Sequence, residues 1–288
     1  MQKSSLEFHP AAAMNLIAED YNGINGQQER DAEETIARIL EDSKEKFEFI
    51  LDVGCGTGNV TKLLSQKLPH DKILAIDIDP DMIAYSRKSV STPDIEFLEQ
   101  DISLPWEQFH PKLQSLEGQF SLVWSNRVLH WVADDHRSRA AQNIVRLLKP
   151  GGLLYVNTTF IFDLYEHLPL EEKQEKEKIL KVPSLQQQQN DWQGCFDNIG
   201  LTNLNIKFVG REWIFENPED FWKLTKVVTI YKRYLSKGVA PEMVDEILGN
   251  LRELFARVVA TPFGQPTVQC SENLTDWHYG QFRITGKK

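Results

Sequence analysis

A glycine-rich turn could hold a ligand against the backbone, because the chain reads D-V-G-C-G-T-G from Asp52 to Gly58. Gly54, Gly56 and Gly58 have no Cβ, so the chain can turn with positive φ and let a ligand approach the main chain. A helix that begins near Asn59 would direct its N–H groups at that ligand. Dinucleotides and phosphates use similar turns, so the glycines alone do not identify the ligand.

The spacing of the glycines in this turn narrows the choice of ligand. In the dinucleotide pattern G-x-G-x-x-G, Asn59 stands where the third glycine would be, and Gly58 comes one residue too early. The turn is also preceded by an acid, Asp52. No G-K-S/T follows the glycines, which excludes a P-loop.

Two more acids follow at the ends of predicted strands. Asp77 closes the second strand, where a carboxylate can accept both hydroxyls of a ribose. Asp101 closes the third strand, where it could hold an adenine together with Ile102. Any one of these acids could be an ordinary helix cap or turn residue. Three acids in register with the glycine turn argue against coincidence, because ligands of open parallel sheets bind outside the carboxyl ends of the strands.

The elements that would position these residues alternate along the first half of the chain. Strands and helices follow one another with a period of about 25 to 30 residues, which predicts right-handed crossovers and a parallel sheet. The predicted strands are Phe47–Val53, Lys72–Ile76, Ile95–Leu98, Phe120–Ser125 and Leu153–Thr158. The predicted helices are Asp31–Asp42, Val60–Leu68, Pro80–Val90 and Asp134–Leu148, the last of them ended by a turn at Gly151–Gly152.

The second half has a different pattern. Leu204–Val209 and His278–Ile284 alternate like paired edge strands. Between them, Pro218–Arg257 predicts two helices that would form a cap or lid over the ligand edge of the sheet. The charged run Glu171–Lys178 is typical of a solvated helix face, and Gln186–Gln189 of a loop or an exposed helix start.

The motif series resembles that of the class I methyltransferases. The resemblance rests on D-V-G-C-G-T-G, the acid at Asp77, the Asp101-Ile102 pair and L-L-K-P-G-G at Leu147–Gly152. It implies an α/β, Rossmann-like fold with a seven-stranded, mostly parallel sheet whose last strand is antiparallel, plus a helical cap. It also implies S-adenosyl-L-methionine as cofactor, with three glycines at its methionine part, Asp77 on the ribose and Asp101 at the adenine. The full set of cofactor-binding residues expected from the match is Asp52, Gly54, Gly56, Gly58, Asp77, Ile78, Asp101, Ile102, Ser125 and Asn126, the last two beside the sulfonium.

The segment after the fourth strand carries the expected acceptor site. Its L-H-W triplet, which ends at Trp131, resembles carboxyl O-methyltransferases of the trans-aconitate, malonyl-carrier-protein and juvenile hormone acid types. The spacing from Tyr21 through Gln28 to Ala32 resembles the N-terminal helix of juvenile hormone acid O-methyltransferases, and Phe160–Tyr165 resembles their segment after strand five. In that family a Gln and a Trp hold the substrate carboxylate, and these match Gln28 and Trp131.

The chemistry of the expected acceptor fits these residue types. A carboxylate is already ionised at neutral pH, so methyl transfer to it needs no general base. Amide and indole N–H groups, from Gln28 and Trp131, can orient the carboxylate without adding a positive charge. His130 would orient Trp131 or the cofactor, and it would act as a base only for a nitrogen or phenol acceptor. Taken alone, Trp131 could be a packing aromatic and Gln28 an exposed helix residue.

An apolar carboxylic acid is the expected substrate, in the manner of farnesoic acid or juvenile hormone acid. Trp213, Phe221 and Trp222 lie near the start of the predicted lid and could form a wall for an apolar chain, although such aromatic groups are more often core. The alternatives left open are an N- or phenol O-methyltransferase that uses His130 as base and a non-catalytic S-adenosylmethionine-binding subunit. A nicotinamide-dependent dehydrogenase is disfavoured by Asn59.

Composition excludes several other classes of protein. The net charge of −10 and the pI near 5.3 argue against a nucleic-acid surface. No apolar run approaches the length of a membrane span, and three widely spaced cysteines suggest neither a disulfide framework nor a zinc site, so no metal is expected. We expect a cytoplasmic enzyme, and a homodimer is one assembly that the sequence leaves open.

The expected organisation is a single methyltransferase domain over residues 1–288. Its core would comprise about 30–160, 200–215 and 276–288, and its cap about 161–199 and 216–275. Residues 1–29 would form an N-terminal arm and not a signal peptide.

Overall fold

The computed structural model describes residues 26–161, 171, 174, 182–215, 259–260, 266–268, 270–271 and 274–288. Several predictions from the sequence lie outside these residues. They are the lid helices of Pro218–Arg257 with Phe221 and Trp222, residues 1–25 of the arm, most of the charged run Glu171–Lys178, and positions 162–165 of the segment after strand five.

Helices and strands alternate as the sequence predicts. The described α-helices are α1 (Gly26–Asp42), α2 (Asn59–Lys67), α3 (Pro80–Ser89), α4 (Pro111–Ser115), α5 (Arg137–Leu147) and α6 (Leu185–Phe196). The described strands are β1 (Phe47–Val53), β2 (His70–Asp77), β3 (Ile95–Glu99), β4 (Phe120–Asn126), β5 (Leu148–Thr159), β6 (Thr202–Phe215), β7 (Val259–Ala260), β8 (Pro266–Val268), β9 (Cys270–Ser271) and β10 (Leu274–Lys287). Short 3₁₀ helices lie at Trp106–Gln108, Leu129–Trp131 and Asp134–His136.

Seven of these strands form the main path of one sheet, in the order β3-β2-β1-β4-β5-β10-β6. The pairs β1–β2, β1–β4, β2–β3 and β4–β5 are parallel, whereas β10 is antiparallel to β5. The short β9 pairs with β10, and β7 pairs with β8 in a separate two-stranded sheet. This is a Rossmann-like sheet whose last strand along the chain is antiparallel, so the predicted fold class is confirmed. Its strand order reverses between β1 and β4, and ligands of such sheets bind at that switch point.

The buried side chains of α1 and α2 pack on one face of this sheet. Ile36 and Ile39 of α1 share an apolar cluster with Ile50 of β1, Leu64 of α2 and Trp124 of β4, all of them fully buried. Burying each such side chain stabilises the fold by roughly 1.5–3 kcal/mol relative to exposure. This packing fixes α1 beside the carboxyl ends of β1 and β4.

Three details of the elements differ from the sequence prediction. Helix α1 begins at Gly26, five residues before the predicted Asp31. The predicted turn at Gly151–Gly152 lies inside β5, because the chain bulges there: Gly151 has a φ of 79° and the β4–β5 register shifts. Strand β10 is not an edge strand, since it lies between β5 and β6.

The glutamine-rich segment is a helix start. Gln186–Gln189 lies in α6, where Gln188 is buried and Gln189 Nε2 donates to the Ile206 carbonyl over 3.1 Å. A partly buried face explains why a polar run is ordered here.

The chain divides into two compact units. Ile17–Phe160, Leu185–Val209 and Gly280–Lys288 form one, which contains β1 to β5. Met1–Leu16, Ile161–Ser184 and Gly210–Tyr279 form the other. Among the described residues, none of the helices is long and apolar enough to cross a membrane. Within the same residues, no group of His, Cys, Asp and Glu side chains is arranged to hold a metal ion.

Candidate active site

The glycine turn has the backbone geometry that its sequence predicts. Gly54, Gly56 and Gly58 have φ values of 78°, 53° and 84°. A Cβ on Gly54 would lie 2.2 Å from Val128 Cγ2, so even alanine would clash there. Gly58 caps α2 without any side-chain hydrogen bond to the first turn. The first N–H groups of a helix have no partner within the helix, so a ligand at the turn would meet those of α2.

Asp77 closes β2 and braces the glycine turn. One carboxylate oxygen accepts the Gly56 N–H over 2.8 Å, and the other accepts the Asp79 N–H over 3.0 Å. Burial raises the pKa of Asp77, while these backbone hydrogen bonds lower it in part. Each carboxylate oxygen retains lone pairs for a further donor such as a ribose hydroxyl.

Asp52, the acid before the glycines, is buried at the end of β1. Its Oδ2 accepts the Thr61 hydroxyl over 2.6 Å. Burial raises the pKa of Asp52 to about 7, the Thr61 hydrogen bond opposes that shift, and the nearby Asp77 carboxylate adds to it. Asp52 therefore titrates near neutral pH. Sequence reasoning missed Thr61, although its place on the sheet-facing side of α2 could have indicated it.

A pocket lies at the switch point of the sheet. It brings the predicted acceptor residue Gln28 together with Asp52, the glycine turn and Asn126. Its lining residues are Gln28, Asp52, Gly54, Cys55, Gly56, Thr57, Asn59, Val60 and Asn126. Only 8% of the surface of Gln28 is accessible to solvent. The alternative interpretation of Gln28 as an exposed helix residue is therefore wrong.

Asn126 ties α1 to the sheet beside this pocket. Its Nδ2 donates to the Gln28 carbonyl over 3.0 Å, and its Oδ1 accepts from Asn157 Nδ2 over 3.2 Å. Asn157 Nδ2 also donates to the Thr35 hydroxyl over 2.9 Å. These bonds fix the part of α1 that carries Gln28.

Arg127 forms a second link to α1, which sequence reasoning missed. Its Nε and Nη2 donate to Asp31 Oδ2 over 3.0 and 2.5 Å, and Nη1 donates to the Thr159 hydroxyl over 3.2 Å. Both charged side chains are buried, and Arg127 has a φ of 64°, which is unusual outside glycine. The helical spacing of Gln28, Asp31 and Thr35 was a signal that these polar residues share one face.

Ser125 does not join Asn126 at the pocket lining. Its hydroxyl donates to the Val53 carbonyl over 3.0 Å and is fully buried between β4 and β1. Neighbouring side chains of a strand point to opposite faces, which explains why only one of the pair lines the pocket. A role for Ser125 beside the sulfonium stays a prediction.

Three more predicted cofactor residues lie away from the pocket lining. Asp101 Oδ1 accepts both the N–H and the hydroxyl of Ser103, each over 2.7 Å. Ile102 is buried, and Ile78 is half-buried directly after β2. All three follow the carboxyl ends of β2 and β3, where an adenosine would lie, and their contacts with a cofactor stay predictions.

His130 and Trp131 stand side by side in a 3₁₀ helix. Their rings lie 4.6 Å apart between centroids, and both side chains are half-buried. The Thr159 N–H donates to His130 Nδ1 over 3.5 Å. Neither residue lines the pocket that contains Gln28, so the predicted Gln28–Trp131 pairing around one carboxylate stays a prediction.

Sequence comparison agrees with this geometry. Residues 50–152 match the family model described as a methyltransferase domain. Trans-aconitate 2-methyltransferase of Escherichia coli O1:K1 is 38% identical over 150 residues, which cover 52% of this chain and 50% of the relative. The enzyme of that name from Escherichia coli strain K12 / DH10B is 35% identical over 136 residues, 47% of this chain and 48% of the relative. The chain thus spans about half the length of the curated relatives that it matches.

Solved structures share the fold. Phosphoethanolamine N-methyltransferase 2 of Haemonchus contortus, solved with phosphomonomethylethanolamine and S-adenosylhomocysteine, aligns with a TM-score of 0.58 at 12% identity, over 98% of this chain and 61% of that one. A putative methyltransferase from Bacillus halodurans aligns with a TM-score of 0.54 at 15% identity, over 88% of this chain and 98% of that one.

The sheet order and the match of residues 50–152 to a methyltransferase-domain model show a Rossmann-like methyltransferase fold. Trans-aconitate 2-methyltransferases are among the curated proteins that the chain resembles over about half of its length.

Proposed function

We propose that this protein transfers a methyl group from S-adenosyl-L-methionine to the carboxylate of a small organic acid. The observation that carries the proposal is the pocket at the switch point of the sheet. Gln28, the expected acceptor residue, lines it together with Asp52 and the glycine turn. Donor and acceptor residues would then face one space, as an in-line transfer requires.

The residues at this site fit S-adenosylmethionine. The positive φ values of the glycine turn leave room for the ligand beside the backbone, and Gly54 could not carry a Cβ. The turn and Asp52 would hold the methionine part, Asp77 the ribose, and Asp101 with Ile102 the adenine. The cofactor supplies a methyl group on a positively charged sulfonium, which leaves as a neutral thioether.

The protein's task at the acceptor is to orient and desolvate an anion. Gln28 and Trp131 would donate N–H groups to the carboxylate and align one oxygen with the methyl carbon. Because the acid is ionised at neutral pH, no residue has to remove a proton. Methyl transfer converts a sulfonium cation and a carboxylate anion into two neutral products. A low-dielectric site therefore favours the transfer.

His130 has a positioning role in this mechanism. The Thr159 N–H donates a long hydrogen bond to Nδ1 over 3.5 Å, a contact that favours the Nε2–H tautomer whenever the ring is neutral. A general base would need a free lone pair on the ring. The arrangement therefore supports a carboxylate acceptor over a nitrogen or phenol acceptor.

The acid itself is the finer part of the proposal. The L-H-W triplet and the segment around Gln28 favour an apolar acid such as farnesoic acid or a juvenile hormone-like acid. The second candidate is a polar polyacid, which the names of the Escherichia coli relatives favour. The single-domain organisation, the cytoplasmic location and the homodimer stay predictions.

A panel of acceptors tests the reaction class. The protein would be incubated with labelled S-adenosylmethionine and, separately, acetate, trans-aconitate, medium-chain fatty acids, farnesoic acid, a phenol and an amine. We expect a labelled methyl ester from at least one acid. Transfer to the phenol or the amine alone would overturn the proposal, whereas transfer to trans-aconitate alone would discard only the apolar acid.

A further inference from the structure

Gln281 of β10 is a fully buried amide without an obvious structural role. Its accessible fraction is 0%, and within the described part of the chain neither Nε2 nor Oε1 has a hydrogen-bond partner. Leaving a buried polar group unsatisfied costs about 1–3 kcal/mol, so an apolar side chain of similar size would be more stable at this position. A glutamine kept in such a place needs another explanation.

The strand register places Gln281 beside Thr159, a residue that contacts both Arg127 and His130. Gln281 lies directly opposite Thr159 in the antiparallel β5–β10 pair, so the two side chains share one face of the sheet with Cβ atoms about 4.5–5.5 Å apart. Thr159 accepts from Arg127 through its hydroxyl and donates to His130 through its N–H. Arg283, two residues along β10, lies on the same face and donates to Glu34 of α1 over 3.2 Å.

The opposite face of β10 is apolar. There Phe282 packs against Phe160 and Phe208, with ring centroids 5.9 and 5.8 Å apart. Gln281 therefore does not belong to that aromatic cluster. It lies on the face of the sheet that α1 covers, next to Thr159, which contacts His130 and Arg127.

We propose that Gln281 is an acceptor-binding residue, whose Nε2 donates a hydrogen bond to the bound organic acid. This inference rests on the proposed function. Gln281 would supply a third N–H donor for the acid beside those of Gln28 and Trp131, from the strand that closes the other side of the site. A neutral amide is suited to this role because it binds an anion without adding a charge that would weaken the nucleophile.

Gln281→Leu separates this role from a structural one. The acceptor KM should rise at least tenfold, the ratio expected when a hydrogen bond to a charged group worth about 1.5 kcal/mol is lost. The affinity for S-adenosylhomocysteine, measured by calorimetry, should stay within twofold of wild type. The melting temperature should be unchanged or higher, because an unsatisfied amide is removed. Gln281→Met, closer in shape to glutamine, repeats the test should leucine fail to fold.

Thr158→Val is the matched control. Thr158 is fully buried, its hydroxyl also has no partner in the described part of the chain, and it lies opposite Phe282 on the other face. It should match Gln281→Leu in stability but keep the wild-type KM. If the wild-type protein methylates an acid and both Gln281 variants keep the wild-type KM, this inference is overturned and the proposed function stands. Gln281 would then be a core residue, or its amide would bind a buried water. Wild-type protein that methylates only amines or phenols overturns the proposed function instead, before any variant is compared.

Discussion

At the scale of single residues, Asp77 has two tasks in the glycine turn. Its carboxylate already accepts the Gly56 and Asp79 N–H groups, and the ribose would be a further partner. Asp77→Ala should therefore lower the affinity for S-adenosylmethionine at least tenfold, because charge-assisted hydrogen bonds contribute about 1.5–3 kcal/mol. Calorimetry on the purified variant measures this directly.

The control for Asp77 is Asp71→Ala, an exposed acid on the same strand that pairs with Lys46. It should bind the cofactor as wild type does. Equal affinities of wild type and Asp77→Ala would remove Asp77 from the cofactor site.

Asp52 makes the stability of the fold depend on pH. Its pKa in the folded state is about 7, above the ordinary value of 3.8, so the folded state binds more protons than the unfolded one between those values. The contribution of Asp52 is favourable at pH 4 and is lost as the pH rises through 7. Asp52→Asn should consequently be more stable than wild type at pH 8 and no more stable at pH 4.

Denaturant unfolding at the two pH values measures this difference. Glu48→Gln, on the exposed end of β1, serves as the control and should follow the wild-type pH dependence. A stability gain for Asp52→Asn that is the same at pH 4 and pH 8 would show that burial does not disfavour the Asp52 charge.

At the scale of elements, the buried ion pair of Asp31 and Arg127 fixes α1. Asp31→Asn should destabilise the fold by about 3–5 kcal/mol, because it removes the carboxylate that the buried guanidinium of Arg127 contacts. The double variant Asp31→Asn with Arg127→Gln should recover part of that loss. Thermal or denaturant unfolding of both single variants and the double variant gives the coupling, and strictly additive losses would contradict a direct pair.

The glycine turn is the second element whose geometry can be tested. Gly54→Ala should abolish cofactor binding or folding, since its Cβ would overlap Val128 and the backbone has a φ of 78°. Gly194→Ala is the control, because Gly194 lies in α6 with nothing within 4 Å of its added Cβ. That change should stabilise the protein by about 0.5–1 kcal/mol through helix propensity. A Gly54→Ala protein that binds the cofactor normally would contradict the close packing of the turn.

Much of this architecture could be predicted from the sequence, because buried parallel strands are short apolar runs. Phe47–Val53 was predicted to the residue for that reason. The inner position of β10 could not be predicted from its sequence. Gln281 and Arg283 alternate with apolar residues, as in a half-exposed edge strand, but both side chains are buried. The roles of Arg127 and Thr61 were also missed, because their partners lie far away along the chain or on another element.

At the scale of the whole molecule, methyl transfer to a carboxylate is the reaction that we propose. The acceptor panel at pH 6.5, 7.5 and 9, with mass spectrometry of the product, tests it most directly. We expect a methyl ester that mild alkali hydrolyses. At saturating S-adenosylmethionine, where the titration of Asp52 near pH 7 no longer limits cofactor binding, its rate of formation should stay flat over this pH range, because the acid is ionised throughout and the transfer needs no base. Gln28→Ala and Trp131→Phe should lower that rate with cofactor affinity nearly unchanged. An alkali-stable methylamine or methyl ether, formed at a rate that rises through a histidine-like pKa, would contradict carboxylate methylation and assign His130 as the base.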